Sequence, residues 1–342
     1  MSKVNLDWAN IGFNYHKTDK RYVAHYKDGK WDKGELVDDA VLHLSECAEV
    51  FQYCQQCFEG LKARRTKNGD IAVFRPDMNA KRMHDAAVRL EMPPFPEDQF
   101  IDAVKQVIKA NLDWLPPYGT GASLYLRPFM IGTDPIIGVS SANVFEFRIF
   151  CTPVGPYYKG GAKPISLLVS DFDRSAPHGT GNIKAGLNYA MSLYDHTLCK
   201  AQGFDENMYL DPATRTYVDE TGGSNFIFIT KDNEVVTPLS DSILPSITRR
   251  SCMYVAEHYL GLKTTQRKVR FDELKDFAEC GVCGTAAVIS PVGRVVNHGE
   301  ELIFPSGMEH PGPITEKLLN TLSGIQECEI EAPEGWILKV EE

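Results

Sequence analysis

Long apolar runs are missing from this 342-residue sequence, and cationic residues are outnumbered by anionic ones. No stretch approaches the roughly 18 consecutive apolar residues of a membrane-spanning helix, and the first residues lack the apolar core of a secretory signal peptide. Lysine and arginine number 36 against 46 aspartate and glutamate residues, and the resulting net charge of −10 argues against a nucleic-acid partner. We therefore expect a soluble, cytoplasmic protein with no membrane and no nucleic-acid partner.

The cysteines do not form the pattern of a disulfide framework. They are nine in number and scattered along the chain, which is typical of reduced thiols. Two Cys-x-x-Cys pairs, Cys54/Cys57 and Cys280/Cys283, leave a remote alternative, a four-thiolate zinc site or a thiol redox module. The two pairs lie far apart in the sequence and neither belongs to a histidine cluster, so we predict no metal site.

The most informative stretch is a glycine-rich turn around Lys184, with the sequence His-Gly-Thr-Gly-Asn-Ile-Lys-Ala-Gly-Leu-Asn-Tyr-Ala. A phosphate-binding P-loop would have Ser or Thr directly after the lysine, whereas Ala185 stands there. Gly179, Gly181 and Gly186 permit positive φ angles and leave no side chain beside the lysine, so a flat group could approach its amine closely. An ordinary solvated lysine is the alternative.

Other parts of the chain supply what a pyridoxal-phosphate site requires besides a lysine. These requirements are a carboxylate at the pyridine nitrogen, a donor to the ring oxygen, and amides with cations around the phosphate. Tyr189 follows the lysine on the same predicted helix, and Glu220 precedes a Thr-Gly-Gly turn. Residues 244–250, Leu-Pro-Ser-Ile-Thr-Arg-Arg, predict a turn that opens a helix. A solvated glutamate and an ordinary helix-face tyrosine remain possible explanations for Glu220 and Tyr189.

Hydrophobic periodicity predicts two parts of different character. Residues 1 to about 155 predict strands with two helices, at 79–90 and 98–115, and the alternation over 123–128 places Tyr125 and Arg127 on one strand face. Turn-forming residues over 155–161 predict the domain boundary. Beyond it strands and helices interleave. The fold class is α+β or α/β, which the pattern alone does not resolve.

In combination these motifs resemble the branched-chain amino acid aminotransferases, pyridoxal-phosphate enzymes of fold type IV. The matching segments occur in the family's order and spacing at 58–63 (Phe-Glu-Gly-Leu-Lys-Ala), 79–83 (Asn-Ala-Lys-Arg-Met), 124–128, 182–189, 220–226, 243–249 and 284–286 (Gly-Thr-Ala). The closing Glu-Ala-Pro-Glu-Gly-Trp at 331–336 is similar to the bacterial branch.

The resemblance implies a fold, an activity and a cofactor. The expected structure is an α+β, two-domain, fold type IV enzyme with a smaller N-terminal α/β domain (1–155), an interdomain loop (156–162) and a larger cofactor-binding domain (163–342). Its active site is expected between the two domains. The implied reaction transfers the amino group of leucine, isoleucine or valine to 2-oxoglutarate by a ping-pong mechanism with pyridoxal 5'-phosphate. The implied partners are small molecules, namely amino acid and 2-oxo acid substrates, and a second copy of the chain in a homodimer.

Position by position, the resemblance also implies the site residues. Lys184 looks like the Schiff-base lysine and proton shuttle, Glu220 like the partner of the pyridine nitrogen, and Tyr189 like the donor to the ring oxygen. The residues expected at the cofactor are Arg82, Lys184, Tyr189, Glu220, Ile247, Thr248 and Thr285. Those expected at the substrate are Tyr53, Phe58, Tyr125, Arg127, Val139, Thr285 and Ala286.

The sequence also departs from the family pattern. Gly223 stands where some relatives carry threonine, and Ala287 and Ser290 stand where some carry redox cysteines, so no redox role is transferred. A D-amino acid aminotransferase and an aminodeoxychorismate lyase are alternatives on the same fold. Tyr125 and Arg127, together with the Phe-Glu-Gly motif, favour the branched-chain interpretation.

Overall fold

The computed structural model describes Val4, residues 6–157 and residues 162–341. The strands are β1 (Arg21–Lys27), β2 (Lys30–Trp31), β3 (Glu35–Val37), β4 (Gln56–Phe58), β5 (Leu61–Arg65), β6 (Ile71–Phe74), β7 (Ser123–Gly132), β8 (Phe145–Val154), β9 (Ile165–Val169), β10 (Glu206–Met208), β11 (Asn225–Thr230), β12 (Val235–Pro238), β13 (Thr264–Arg267), β14 (Phe277–Gly284), β15 (Val288–Asn297), β16 (Glu300–Ile303) and β17 (Ile337–Val340). The α-helices are α1 (Glu49–Tyr53), α2 (Pro76–Arg89), α3 (Glu97–Ala110), α4 (Gly186–Ala201), α5 (Ile247–His258) and α6 (Pro313–Gln326). Short 3₁₀ helices span Leu112–Trp114 and Phe271–Asp276.

The chain forms two compact units. The first comprises the described residues of Met1–Tyr157, Lys184–Gly186 and Ile325–Glu342, and the second comprises those of Tyr158–Ile183 and Leu187–Gly324. Lys184 therefore belongs to the first unit, although the residues before 184 and after 186 belong to the second. The division into domains over 1–155 and 163–342 stays a prediction. Of the predicted interdomain loop, residues 158–161 lie outside the described residues.

The first unit is built on a nine-stranded antiparallel sheet. Its strand order is β17-β6-β5-β7-β8-β1-β2, with β3 beside β1 and β4 beside β7. In β7, Leu124 and Leu126 are fully buried, and Tyr125 and Arg127 alternate with them on the opposite face. The sequence alternation therefore predicted this strand and its two faces correctly.

Helices α2 and α3 of the first unit pack against each other, and α3 also packs on β1 and β8. The apolar side chains of α3 recur at helical spacing and are buried, and they are Phe100, Ala103, Val104, Val107 and Ile108. The predicted helix over 98–115 is too long, because α3 ends at Ala110. The side chain of Asn111 exchanges two hydrogen bonds of 2.9 Å with the backbone of Lys20, which favours a non-helical conformation at this point.

The second unit is built on an eight-stranded mixed sheet in the order β10-β9-β15-β14-β11-β12-β13, with β16 beside β15. The pairs β9/β10, β9/β15 and β12/β13 are parallel, and the others are antiparallel. Helix α5 packs on β11, β12, β13 and β14. Phe226, Phe228 and Phe277 stack in the core of this sheet. Both units thus combine helices with a sheet, which agrees with the predicted α+β class.

The helices of both units fall short of what a membrane span requires. Within the described ranges, no helix has both the length and the apolar character needed to cross a membrane.

Candidate active site

The segment around Lys184 is fixed by backbone contacts within the first unit. The N–H of Phe58 donates to the carbonyl oxygen of Lys184 at 3.0 Å, and Cys57 pairs with Ala185 in an isolated antiparallel bridge. The N–H of Gly186 donates to the Gln56 side chain at 2.9 Å. The lysine amine lies 4.7 Å from the ring centroid of Phe58. Strand β4 therefore holds the backbone of this lysine and places an aromatic ring beside its amine.

The glycines of the turn serve close approach of neighbouring groups and not positive φ. The expectation was that Gly179, Gly181 and Gly186 permit positive φ, and none of the three adopts such an angle. A Cβ at Gly181 would lie 2.0 Å from the carbonyl oxygen of Ser242, and a Cβ at Gly186 would lie 2.5 Å from the Gln56 side-chain oxygen. Gly181 thus allows the turn to approach the backbone at residue 242 closely within the second unit.

Arg82 forms a buried ion pair in the first unit. Its Nε and one terminal nitrogen donate to the two oxygens of Glu59 at 2.7 and 2.8 Å, and Asn79 donates to the same carboxylate at 2.6 Å. Glu59 has no exposed surface and Arg82 is buried. A bidentate pair of this kind fixes the orientation of a guanidinium group. Sequence reasoning named Arg82 but assigned no function to Glu59, whose ion-pair partner lies 23 residues away in the sequence.

Tyr125, Arg127 and Phe58 form one contact cluster in the first unit. The Arg127 guanidinium donates to the Tyr125 hydroxyl at 3.0 Å, and its central carbon lies 4.8 Å from the ring centroid of Phe58. Gly60 makes this arrangement possible, because a Cβ there would lie 2.1 Å from the Tyr125 hydroxyl oxygen. The cluster presents two aromatic rings and one cation on the same side of the sheet.

Two further predicted residues of the first unit lie in more exposed positions. Tyr53 ends α1, and its hydroxyl donates to the carbonyl of Ile137. Val139 is 85% exposed and Ile137 is 73% exposed, in the loop between β7 and β8. Val139 is therefore a surface residue of the single chain.

Glu220 is the most buried ionisable group among the predicted site residues of the second unit, with 2% of its surface exposed. One carboxylate oxygen accepts from Arg174 at 2.6 Å and from the Leu244 N–H at 3.0 Å, and the other accepts from Asn225 at 2.5 Å. Burial raises the pKa of Glu220 to about 7, although Arg174 and the Leu244 N–H favour the charged form. Three donors thus fix the direction of this carboxylate.

The start of α5 has the geometry of an anion-binding helix terminus. Ser246 caps the helix by accepting from the Arg249 N–H at 3.1 Å, and Ile247 and Thr248 form its buried first turn. Arg249 is itself buried, and it donates to the carbonyl of Pro238 at 2.8 Å. First-turn N–H groups and the positive end of the helix dipole favour an anion at such a terminus.

The remaining predicted residues of the second unit are Tyr189, Thr285 and Ala286. Tyr189 lies in the first turn of α4 and is half-buried. Thr285 and Ala286 form the tight turn between β14 and β15, where Thr285 is half-buried and Ala286 is exposed. Gly223 borders open space, because a Cβ added to it would meet no atom within 4 Å. The β-carbon of a threonine would therefore meet no obstacle there.

The thiols of the two Cys-x-x-Cys pairs occupy different environments. Cys54 is exposed, whereas Cys57, Cys280 and Cys283 are buried. Burial raises the pKa of the Cys57 and Cys280 thiols, which disfavours the thiolate form that binds metals. In the described ranges, no group of three or more His, Cys, Asp or Glu side chains is placed to hold a metal ion.

Known proteins similar to this chain share both its sequence and its fold. The model of the family described as amino-transferase class IV matches residues 56–295. A branched-chain-amino-acid aminotransferase of Haemophilus influenzae is 52% identical, with 98% of this chain and 99% of that protein covered. The crystal structure of the Escherichia coli branched-chain amino acid aminotransferase is 25% identical and superposes with a TM-score of 0.78, covering 95% of this chain and all of that one.

A second solved structure shows the fold alone. It is a branched-chain amino acid aminotransferase of Thermobaculum terrenum in its PLP-form (holo-form), 22% identical, with a TM-score of 0.77 and with 96% and 100% of the two chains covered. These similarities confirm the resemblance and the fold type expected from the sequence.

Proposed function

We propose, from the fact that this chain belongs to the amino-transferase class IV family, that it transfers amino groups between branched-chain L-amino acids and 2-oxoglutarate. The observation that carries this proposal is the nearly full-length similarity to a branched-chain-amino-acid aminotransferase. Branched-chain transamination is the activity supported by that similarity. The choice of 2-oxoglutarate as acceptor and the ping-pong order are the finer parts of the proposal.

The proposed cofactor is pyridoxal 5'-phosphate, and the chemistry of the available groups fits it. The Lys184 amine suits the aldehyde, and the buried Glu220 carboxylate suits the ring nitrogen. The first turn of α5 and the Arg82 guanidinium suit the phosphate. When bound, this cofactor supplies an electron sink for the substrate α-carbon. We assign its binding to Arg82, Lys184, Tyr189, Glu220, Ile247, Thr248 and Thr285.

Three side chains have proposed functions in proton transfer and orientation. The Lys184 amine would take the proton from the substrate α-carbon as a general base and give it up again as a general acid. The Glu220 carboxylate would hold a proton on the pyridine nitrogen, and the Tyr189 hydroxyl would donate to the ring oxygen. The rigid hydrogen bonds of Glu220 support this assignment, because they fix its direction before any ligand arrives.

Substrate recognition has to serve two chemically different side chains in one pocket. We assign it to Tyr53, Phe58, Tyr125, Arg127, Val139, Thr285 and Ala286. The rings of Phe58 and Tyr125 provide an apolar surface for leucine, and the Arg127 guanidinium stacked on them provides a cation for the second carboxylate of glutamate. The use of one pocket by both substrates supports the proposed ping-pong order, in which the amino acid and the 2-oxo acid occupy the pocket in turn.

A homodimer is the proposed assembly, and two surfaces support it. Helix α4 exposes Met191, Tyr194 and Leu198 along one side, and the β7–β8 loop exposes Ile137 and Val139. Exposed apolar side chains that lie together on one surface are typical of an interface that another chain covers. We also propose a cytoplasmic location, since all nine cysteines are free thiols.

The experiment that tests the cofactor assignment is reductive labelling. Borohydride reduction of the holoenzyme, followed by peptide mapping, should place the pyridoxyl group on Lys184. Lys184→Ala should take up no stable label, while Lys81→Ala, at an exposed lysine of α2, should be labelled normally. A label on a different lysine in the parent protein would overturn the assignment.

A further inference from the structure

Arg174 is a buried cation that joins two parts of the second unit. It is 5% exposed and lies in the segment between β9 and α4. One terminal nitrogen donates to Glu220 at 2.6 Å and to the carbonyl of Gly181 at 3.3 Å. Gly181 belongs to the turn that leads to Lys184 in the sequence. A single guanidinium group therefore contacts both the Glu220 carboxylate and the lysine turn.

The charged groups around Glu220 identify Arg174 as its main electrostatic partner. Burial raises the pKa of Glu220, and Arg174 is the strongest opposing influence, followed by the Leu244 N–H. Asp219 raises this pKa, and Arg249 lowers it more weakly. Arg249 is oriented elsewhere by its bond to Pro238, so it cannot replace Arg174 without rearrangement.

We propose that Arg174 is a positioning residue that keeps the Glu220 carboxylate charged and fixed in direction, so that Glu220 can hold a proton on the cofactor ring. This inference rests on the proposed function. An ion pair at 2.6 Å between two buried groups stabilises the charged form of both. Without the cation, the buried carboxylate would keep only two neutral donors, the Leu244 N–H and the Asn225 amide, and it would neutralise by taking up a proton. A neutral carboxyl group cannot hold the ring nitrogen as a pyridinium.

The direct test uses Arg174→Met, which keeps length and removes charge, together with Arg174→Lys, which keeps charge. The ring nitrogen is observed by ¹⁵N NMR in holoenzyme loaded with ¹⁵N-labelled pyridoxal phosphate. The parent protein and Arg174→Lys should show the pyridinium shift at pH 7, and Arg174→Met should show the unprotonated shift. Arg270→Met is the matched control, since Arg270 forms an exposed pair with Asp272, and it should leave the shift unchanged.

A second readout needs no cofactor. The pKa of Glu220 is raised from 4.5 to about 7 in the folded protein. The contribution of Glu220 to folding stability is therefore complete below pH 4.5 and is lost as the pH rises through about 7. The difference in apoprotein Tm between the parent protein and Glu220→Gln should change over this pH range. In the Arg174→Met background this change should continue to higher pH.

Turnover gives the third readout through a double-mutant comparison. Without Arg174 the proton shared by Glu220 and the ring nitrogen should move to the carboxyl group, and each unit by which the pKa of that group rises lowers the pyridinium fraction about tenfold. The kcat of Arg174→Met should therefore be reduced by about tenfold or more at pH 7. In the Glu220→Gln background, Arg174→Met should cause little further loss, because both changes remove the same charged carboxylate.

Several results would overturn the inference. A pyridinium shift in folded Arg174→Met, or a loss of kcat that is equal in the parent and Glu220→Gln backgrounds, would make Arg174 a structural residue only. If Arg174→Met fails to fold, an Arg174→Lys protein with an unprotonated ring nitrogen would refute the inference instead. Failure of the proposed function is distinguished by the parent protein, which would then take up no label at Lys184.

Discussion

At residue 60, a side chain would collide with the phenol of Tyr125, because a Cβ there would lie 2.1 Å from the hydroxyl oxygen and 2.9 Å from the ring carbon that carries it. That hydroxyl accepts from Arg127, whose guanidinium also stacks on Phe58. The glycine of the Phe-Glu-Gly motif is therefore required by packing within the first unit. Gly60 would affect substrate recognition indirectly, because it leaves room for Tyr125, and Tyr125 accepts the hydrogen bond that orients Arg127.

We predict that Gly60→Ala destabilises the protein by about 1–3 kcal/mol, the usual cost of overpacking a well-filled site. Displacement of Tyr125 should also weaken the orientation of Arg127, so the glutamate half-reaction should suffer more than the leucine half-reaction. Urea unfolding and single-turnover absorbance measure the two effects. Gly138→Ala is the control, since its Cβ would meet nothing within 4 Å. Equal stability of the two variants would contradict this account.

The residues that sequence reasoning identified carry local signals, and those it missed do not. Lys184 is marked by its glycines, and Tyr125 and Arg127 are marked by alternation along one strand. Glu59 and Arg174 depend on ion pairs with residues distant in the sequence, and these pairs form only after folding. Arg174 in particular lies in a polar segment in which nothing distinguishes it from a solvated arginine.

Helix α4 has the reverse of the usual amphipathic pattern, which explains why its surface could not be predicted from periodicity. Asn188, Ser192 and Asp195 form its buried side, and Asn188 donates to the carbonyls of Thr180 and Ile183 at 2.7 and 3.0 Å. Its apolar side chains face outward instead. Buried polar groups need specific partners, and the turn before Lys184 supplies those of Asn188.

The exposed side of α4 gives the prediction for this element. Light scattering of the parent protein should give twice the 38.2 kDa mass of the chain. Tyr194→Asp should shift the mass toward the monomer, because Tyr194 is 65% exposed on the apolar side of α4 and a buried interfacial carboxylate would lack a partner. Val88→Asp, at an exposed apolar position of α2, should not change the mass. An active monomeric parent protein would rule out the proposed homodimer.

At the scale of the whole molecule, the described residues of each unit include a buried arginine–glutamate pair. The two pairs differ in which partner is held in place. In the first unit the Glu59 carboxylate orients Arg82, and in the second unit Arg174 orients the Glu220 carboxylate. A buried pair adds little net stability but is costly to break, so both pairs fix direction more than they stabilise the fold. This arrangement supports the proposed assignment of Arg82 and Glu220 to cofactor binding.

The central claim is that the chain transfers amino groups of branched-chain L-amino acids. The most direct measurement is the absorbance change of the pyridoxal-phosphate-loaded protein in single turnovers with L-leucine, L-glutamate and D-alanine. We predict complete conversion with L-leucine and with L-glutamate, reversed by the matching 2-oxo acids, and no comparable rate with D-alanine. Rapid conversion by D-alanine with none by L-leucine would contradict the account and assign the chain to a D-amino acid aminotransferase.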